Sequence, residues 1–169
     1  MLHAWKKDEV VNAVFDDSKK YRYALGCDWD TSKPKVMFVM LNPSIASLEG
    51  CDPTVLRCTN FARTWGYGGI SIANLFAYIS TNPQELTESD DCIGYDCDHY
   101  LLKLAQKSEK IILSWGQSFT KPIFWRRVKE VRNLLNGYTL YCLEVTKDGI
   151  PRHPLYLRND LTPKIYTFN

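Results

Sequence analysis

The sequence predicts an α/β fold, a three-layer sandwich around a largely parallel central sheet. Three observations lead there. The runs "KVMFVML", "ISIANLFAY" and "KIILSWG" are apolar almost throughout, the pattern of strands covered on both faces. Stretches with helical spacing separate these runs, so strand and helix alternate along the chain. Pro and Gly punctuate the boundaries. With 169 residues, one well-cored domain spanning 1–169 is expected.

Each element has its own warrant. "KKDEVVNAVFDD" carries a short amphipathic pattern that predicts an N-terminal helix. "YRYALGCDWD" alternates and predicts a strand, turning at "DTSKP" into "KVMFVML". In "DPTVLRCTNFARTWGYGG", Val55, Cys58, Phe61 (or Ala62) and Trp65 recur at helical spacing, and Gly66 to Gly69 stop the helix. "ISIANLFAY" is the next strand. "NPQEL" opens with Asn82 as a cap and Pro83 at the first helical position, and a helix is expected over roughly Ile93–Lys107. "KIILSWG" is a strand ending at Gly116. Phe124, Val128, Val131 and Leu135 mark the inner face of a helix that ends near Gly137, and "YTLYCLEV" is the last strand.

Composition narrows the function classes. Hydrophobic content of 45% with 24% charged residues is that of an ordinary globular domain. A formal net charge of +2 permits nucleic-acid binding without arguing for it. The densest basic run, "WRRVKEVR", reads as a solvated helix face, with phosphate contact as the alternative. Five Trp and ten Tyr read first as core and surface rings, with stacking on bases as the alternative. The six cysteines show no Cys-x-x-Cys spacing and no His at zinc-ligand spacing, so reduced thiols are expected, with no metal and no cofactor. No apolar run is long enough to span a membrane. A cytoplasmic monomer is expected.

In parallel sheets ligands bind beyond the carboxyl ends of the strands. Those ends carry Asn42, Asn74, Gly116-Gln117 and His153. Asn42 precedes Pro43 and is biased toward extended backbone; its side chain either caps the turn or serves a site. Asn74 lies among apolar neighbours in "IANLFA", and a buried amide must find partners. It can bond backbone, or match the adjacent acceptor and donor of a pyrimidine edge. His153, between Arg152 and Pro154, can donate to an oxygen that gains negative charge. Asp52 before Pro53 is a standard helix cap, a role compatible with facing a ligand. "WGYGG" follows a helix and lacks Lys-Ser/Thr, so it is no phosphate loop.

Read together, these strand ends resemble the uracil-DNA glycosylase superfamily. "VMLNPS" resembles its first motif, "SIANLFAY" the strand whose Asn recognises the base, "IILSWGQSF" the strand running into Trp-Gly, and "RHPLYL" the His-Pro-Ser motif with its DNA-inserting loop. The order matches from about Lys35 to Leu157. The set "LNPS", "DPT", "WGYGG", "NLFAY" and "HPLYL" is also similar to a family of small bacterial and phage proteins of unassigned function.

The resemblance implies a glycosylase-like sandwich and a monofunctional DNA glycosylase that flips a non-standard base. Asn42 would orient the attacking water or contact the sugar, Asn74 would read the base, and His153 would stabilise the departing base. Pro43, Ser44, Tyr78, Gln117, Pro154 and Leu155 would contact substrate, with the loop from Pro154 pressed into DNA. Tyr67, Phe76 and Tyr78 are candidates to stack on the base. Asn42 stands where the most active uracil enzymes have Asp and cannot act as a general base; Asp52 could supply the carboxylate. The phage members suggest modified pyrimidines, such as hydroxymethylated or glucosylated cytosine, and a role in anti-phage defence. Two other readings remain, a nucleoside or nucleotide hydrolase and a non-catalytic module that binds modified DNA.

Overall fold

The computed structural model of the chain describes residues 1–87 and 91–169. Its elements are β1 (Val10–Phe15), β2 (Arg22–Asp28), β3 (Lys35–Met40), α1 (Pro53–Thr64), β4 (Gly69–Asn74), a 3-10 turn (Pro83–Thr87), α2 (Cys97–Gln106), β5 (Lys110–Leu113), α3 (Pro122–Leu134), β6 (Leu140–Cys142) and β7 (Lys164–Ile165). The seven strands form one sheet in the order β1-β2-β4-β3-β5-β6-β7. The inner four, β4-β3-β5-β6, are parallel, whereas β1, β2 and β7 join antiparallel at the edges. The sheet is therefore mixed, with a parallel centre.

Burial explains why the central strands read as unbroken apolar runs. Val36, Phe38 and Met40 of β3 pack with Val55, Cys58, Phe61 and Ala62 of α1. Met37 and Val39 pack with Leu101 and Ala105 of α2 and with Phe124 and Val131 of α3. Successive β3 side chains thus enter two cores, with one helix on one face and two on the other.

Three sequence expectations change. The N-terminal segment is strand β1, not a helix. Val10, Val11 and Val14 are β-branched and favour extended backbone, and the first four residues of β1 alternate exposed and half-buried as they pair with β2. The helix expected from Ile93 begins at Cys97, because Gly94 takes φ +92 and Asp91 Oδ1 accepts from the amides of Ile93 and Gly94 in a turn. The last predicted strand contracts to Leu140–Cys142, and the two-residue β7 pairs beside it.

Strand order fixes where a ligand can sit. From β3 the chain crosses through α1 to β4 on one side, then returns through α2 to β5 on the other. The loops leaving β3 and β5 diverge toward opposite faces, which opens a crevice at their carboxyl ends.

Candidate functional site

A cavity of about 160 Å3 occupies that crevice. A cavity of about 150 Å3 in an apolar core holds a benzene ring, so this one has room for a single six-membered ring. Its apolar walls include Met40, Ile72 and Trp115. Of the residues expected from sequence, Asn42, Pro43, Ser44, Asp52, Asn74 and His153 line it. Tyr78, Gln117, Pro154 and Leu155 do not; Ser118 lines it beside the exposed Gln117. Tyr67 and Phe76 also lie outside the lining, which leaves Trp115 as its aromatic wall.

Asn42 is held by its own amide. Its Nδ2 donates to Ser80 O at 2.8 Å and Pro43 O at 3.1 Å, tying the end of β3 to the chain beyond β4. The amide nitrogen thus braces the turn, and the residue also lines the cavity. Asn74 ends β4 and is only 3% exposed. Its Nδ2 is buried with no hydrogen-bond partner among the described residues. An unpaired buried donor costs about 1–3 kcal/mol, and this one belongs to a residue of the cavity wall. The backbone around it is pinned, with Cys97 Sγ donating to Asn74 O at 3.4 Å and Arg127 Nε to Leu75 O at 2.6 Å.

Asp52 caps α1, its Oδ1 accepting from the Val55 amide at 2.8 Å. The cap accounts for one carboxylate oxygen; the residue is 8% exposed and borders the cavity. His153 follows β6. Burial holds its imidazole below the ordinary histidine range, opposed by the charge of Asp52. Its Nδ1 accepts from the Leu155 amide at 3.2 Å. A neutral ring that accepts at Nδ1 carries its proton on Nε2. The ring can therefore donate without being charged. Gly116 makes this packing feasible: at φ +73, a Cβ there would sit 3.0 Å from His153 Cβ.

Two arginines were missed by sequence reasoning. Arg22 begins β2, is 3% exposed and lines the cavity. Its Nη1 donates to Ala46 O at 2.6 Å, and its Nε is buried without a partner among the described residues. Burial lowers its guanidinium to about 10 against the opposing charge of Asp52, which leaves it a cation at neutral pH. Arg127 lies inside the basic run "WRRVKEVR", yet it is 2% exposed. It braces β4 from α3 and reaches Asp98 Oδ1 of α2 at 2.6 Å. That run is thus neither wholly solvated nor wholly free for phosphate.

The loop after His153 projects Tyr156, which is 91% exposed with φ +73, a costly conformation for a non-glycine residue. Arg57 of α1 holds both flanks, donating to Pro154 O, Leu157 O and Asn159 Oδ1. All six cysteines are free and buried. Among the described residues, no group of three or more His, Cys, Asp or Glu is placed to hold a metal ion, and no helix is long and apolar enough to cross a membrane.

A family model described as "Protein of unknown function (DUF1643)" matches residues 22–155, and the chain belongs to this family. No curated protein and no solved structure matches the chain.

Proposed function

We propose that this member of the DUF1643 family is a monofunctional DNA glycosylase that hydrolyses the N-glycosidic bond of a flipped, non-standard base. The observation that carries the reading is a one-ring cavity whose wall is shared by Asn42, Asp52, Asn74 and His153. Asn74 offers a donor and an acceptor to a base edge. In the reaction the C1′–N bond breaks with its electron pair moving to the base, and a water oxygen bonds to C1′. His153 donates to a base oxygen as that charge develops, which favours the transition state over the ground state. The oxygen of Asp52 not used in capping accepts the water proton, and Asn42 Oδ1 orients the water. Extrusion of the nucleotide costs a few kcal/mol. The exposed Tyr156, on a loop braced by Arg57, is suited to fill the vacated stack.

The resemblance of the strand-end motifs to the uracil-DNA glycosylase superfamily supports the same reading. Their similarity to phage proteins points to modified pyrimidines and to anti-phage defence. Mass analysis of bases released from uracil-containing, mismatched and hydroxymethylated or glucosylated DNA tests it. Release of a free base from one of these substrates is expected. Cleavage of mononucleotides alone would replace the reading with a nucleotide hydrolase, and binding of modified DNA without release would replace it with a non-catalytic module.

A further inference from the structure

Arg22 has no place in the chemistry above, yet it is the most deeply buried charge on the cavity wall. β2 runs antiparallel to β4, with Leu25 opposite Ile72, so the first residue of β2 arrives beside the carboxyl end of β4. Arg22 and Asn74 therefore reach the crevice from neighbouring strands. The bond from Nη1 to Ala46 O anchors one corner of the guanidinium. The edge carrying Nε is left without an acceptor among the described residues. A buried cation and an amide on one cavity wall, with a nearby carboxylate offsetting the cation, suit a neutral ring bearing acceptor atoms better than an apolar ring.

We propose that Arg22 is a ligand-binding residue, whose guanidinium takes a ring oxygen of a pyrimidine-type heterocycle while the Asn74 side chain takes a second polar atom of the same ring. The inference rests on the reading that the cavity holds a base. It adds a fixed cation at the ring edge, which gains most when the ring becomes an anion on leaving the sugar with the electron pair of the broken bond. His153 supplies a neutral donor and Arg22 a charged one.

Binding of free rings tests this apart from catalysis. Uracil, cytosine and 5-nitrouracil are titrated into the parent protein, Arg22→Gln and Arg22→Lys by calorimetry, the last ring both below and above its ionisation. In the parent, the 5-nitrouracil anion should bind more tightly than its neutral form. In Arg22→Gln the ring affinity should fall about tenfold to a hundredfold, the range for a hydrogen bond to a charged group, and the preference for the anion should vanish. Arg22→Lys should keep part of that preference. Should the variants not fold, the guanidinium N–H resonance of Arg22 in the parent gives the same answer, because it must shift as the ring binds. Ring binding with that resonance unmoved, or with equal affinity in folded Arg22→Gln, would overturn the proposal. So would a cavity that takes acetate or phosphate and no ring. A protein that binds rings through Arg22 but releases no base from DNA would sink the glycosylase reading and leave this one standing.

Discussion

Asp52→Asn separates the two things one carboxylate does. Its Oδ1 caps α1 at 2.8 Å from the Val55 amide, and Asn caps about as well as Asp. What the substitution removes is the charge. At a helix N-terminus that charge contributes about 0.3–1 kcal/mol through the helix dipole, with more in partly buried sites. Each 1 kcal/mol lost lowers the melting temperature of a domain this size by about 2–4 °C, and the loss here includes the charge that offsets the buried cation of Arg22. Asp52→Ala also loses the cap and should cost a further 0.5–2 kcal/mol, roughly.

The effect on base release should be far larger. A positioned general base contributes about 10²–10⁴-fold, so single-turnover excision by Asp52→Asn should slow by that factor while DNA binding persists. Melting curves beside single-turnover rates on a confirmed substrate make the comparison. Equal rates in parent and Asp52→Asn would return Asp52 to a purely structural role, and would leave Asn42 Oδ1 as the group next to the water.

His153→Ala should fold and lose about 10²–10³-fold in base release, the cost of one donor to a developing oxyanion; unchanged release on a confirmed substrate would end that role. The same imidazole predicts a pH effect on stability. Burial holds its folded pKa below the ordinary value of 6.5, so protonation favours the unfolded chain. Its contribution is complete above about pH 6.5 and falls as pH drops from there toward the folded pKa. Thermal melts from pH 7.5 to 5.5 should therefore show a steeper loss in the parent than in His153→Gln, and parallel curves would refute the assignment. Arg127→Met should cost about 1–3 kcal/mol by leaving Leu75 O with only the long, weak contact from Cys97 Sγ at 3.8 Å, with little more from Asp98, whose side chain is 54% exposed; urea unfolding measures it, and a silent substitution would show the brace to be dispensable.

The parts of the site that were legible in the sequence are those that follow from chain order. Once β3, β4, β5 and β6 read as buried parallel strands, the residues after them must lie at one end of the sheet, and Asn42, Asn74 and His153 do border one cavity. Asp52 followed from its Pro53 neighbour. Arg22 was not legible, because its place depends on the direction in which β2 pairs, and no local pattern carries that. Arg127 left a usable signal: Phe124, Arg127 and Val131 fall at i, i+3 and i+7 on the buried face of α3. The exposed Arg126 and Lys129 around it hid that signal in a charged run. β1 misled for a related reason, since a short segment with valines at positions 10, 11 and 14 satisfies helical spacing as well as strand propensity.

The charges of the cavity bear on the proposed chemistry as a set. Before reaction a base is neutral, and so is the sum of its ionised neighbours, with Arg22 cationic, Asp52 anionic and His153 uncharged. In the transition state the sugar becomes positive and the base negative. A fixed cation on the base side and a fixed anion on the sugar side would stabilise that separated pair while contributing little to the neutral ground state, which is the differential binding that catalysis needs. The neutral His153 fits the scheme, because a second cation on the cavity wall would bind anions indiscriminately and would itself be costly to bury beside Arg22. On this view Asn42 does not make the chain a weakened uracil enzyme. The carboxylate that the proposed chemistry needs stands instead at the cap of α1, where Pro53 and the Val55 amide hold it in place.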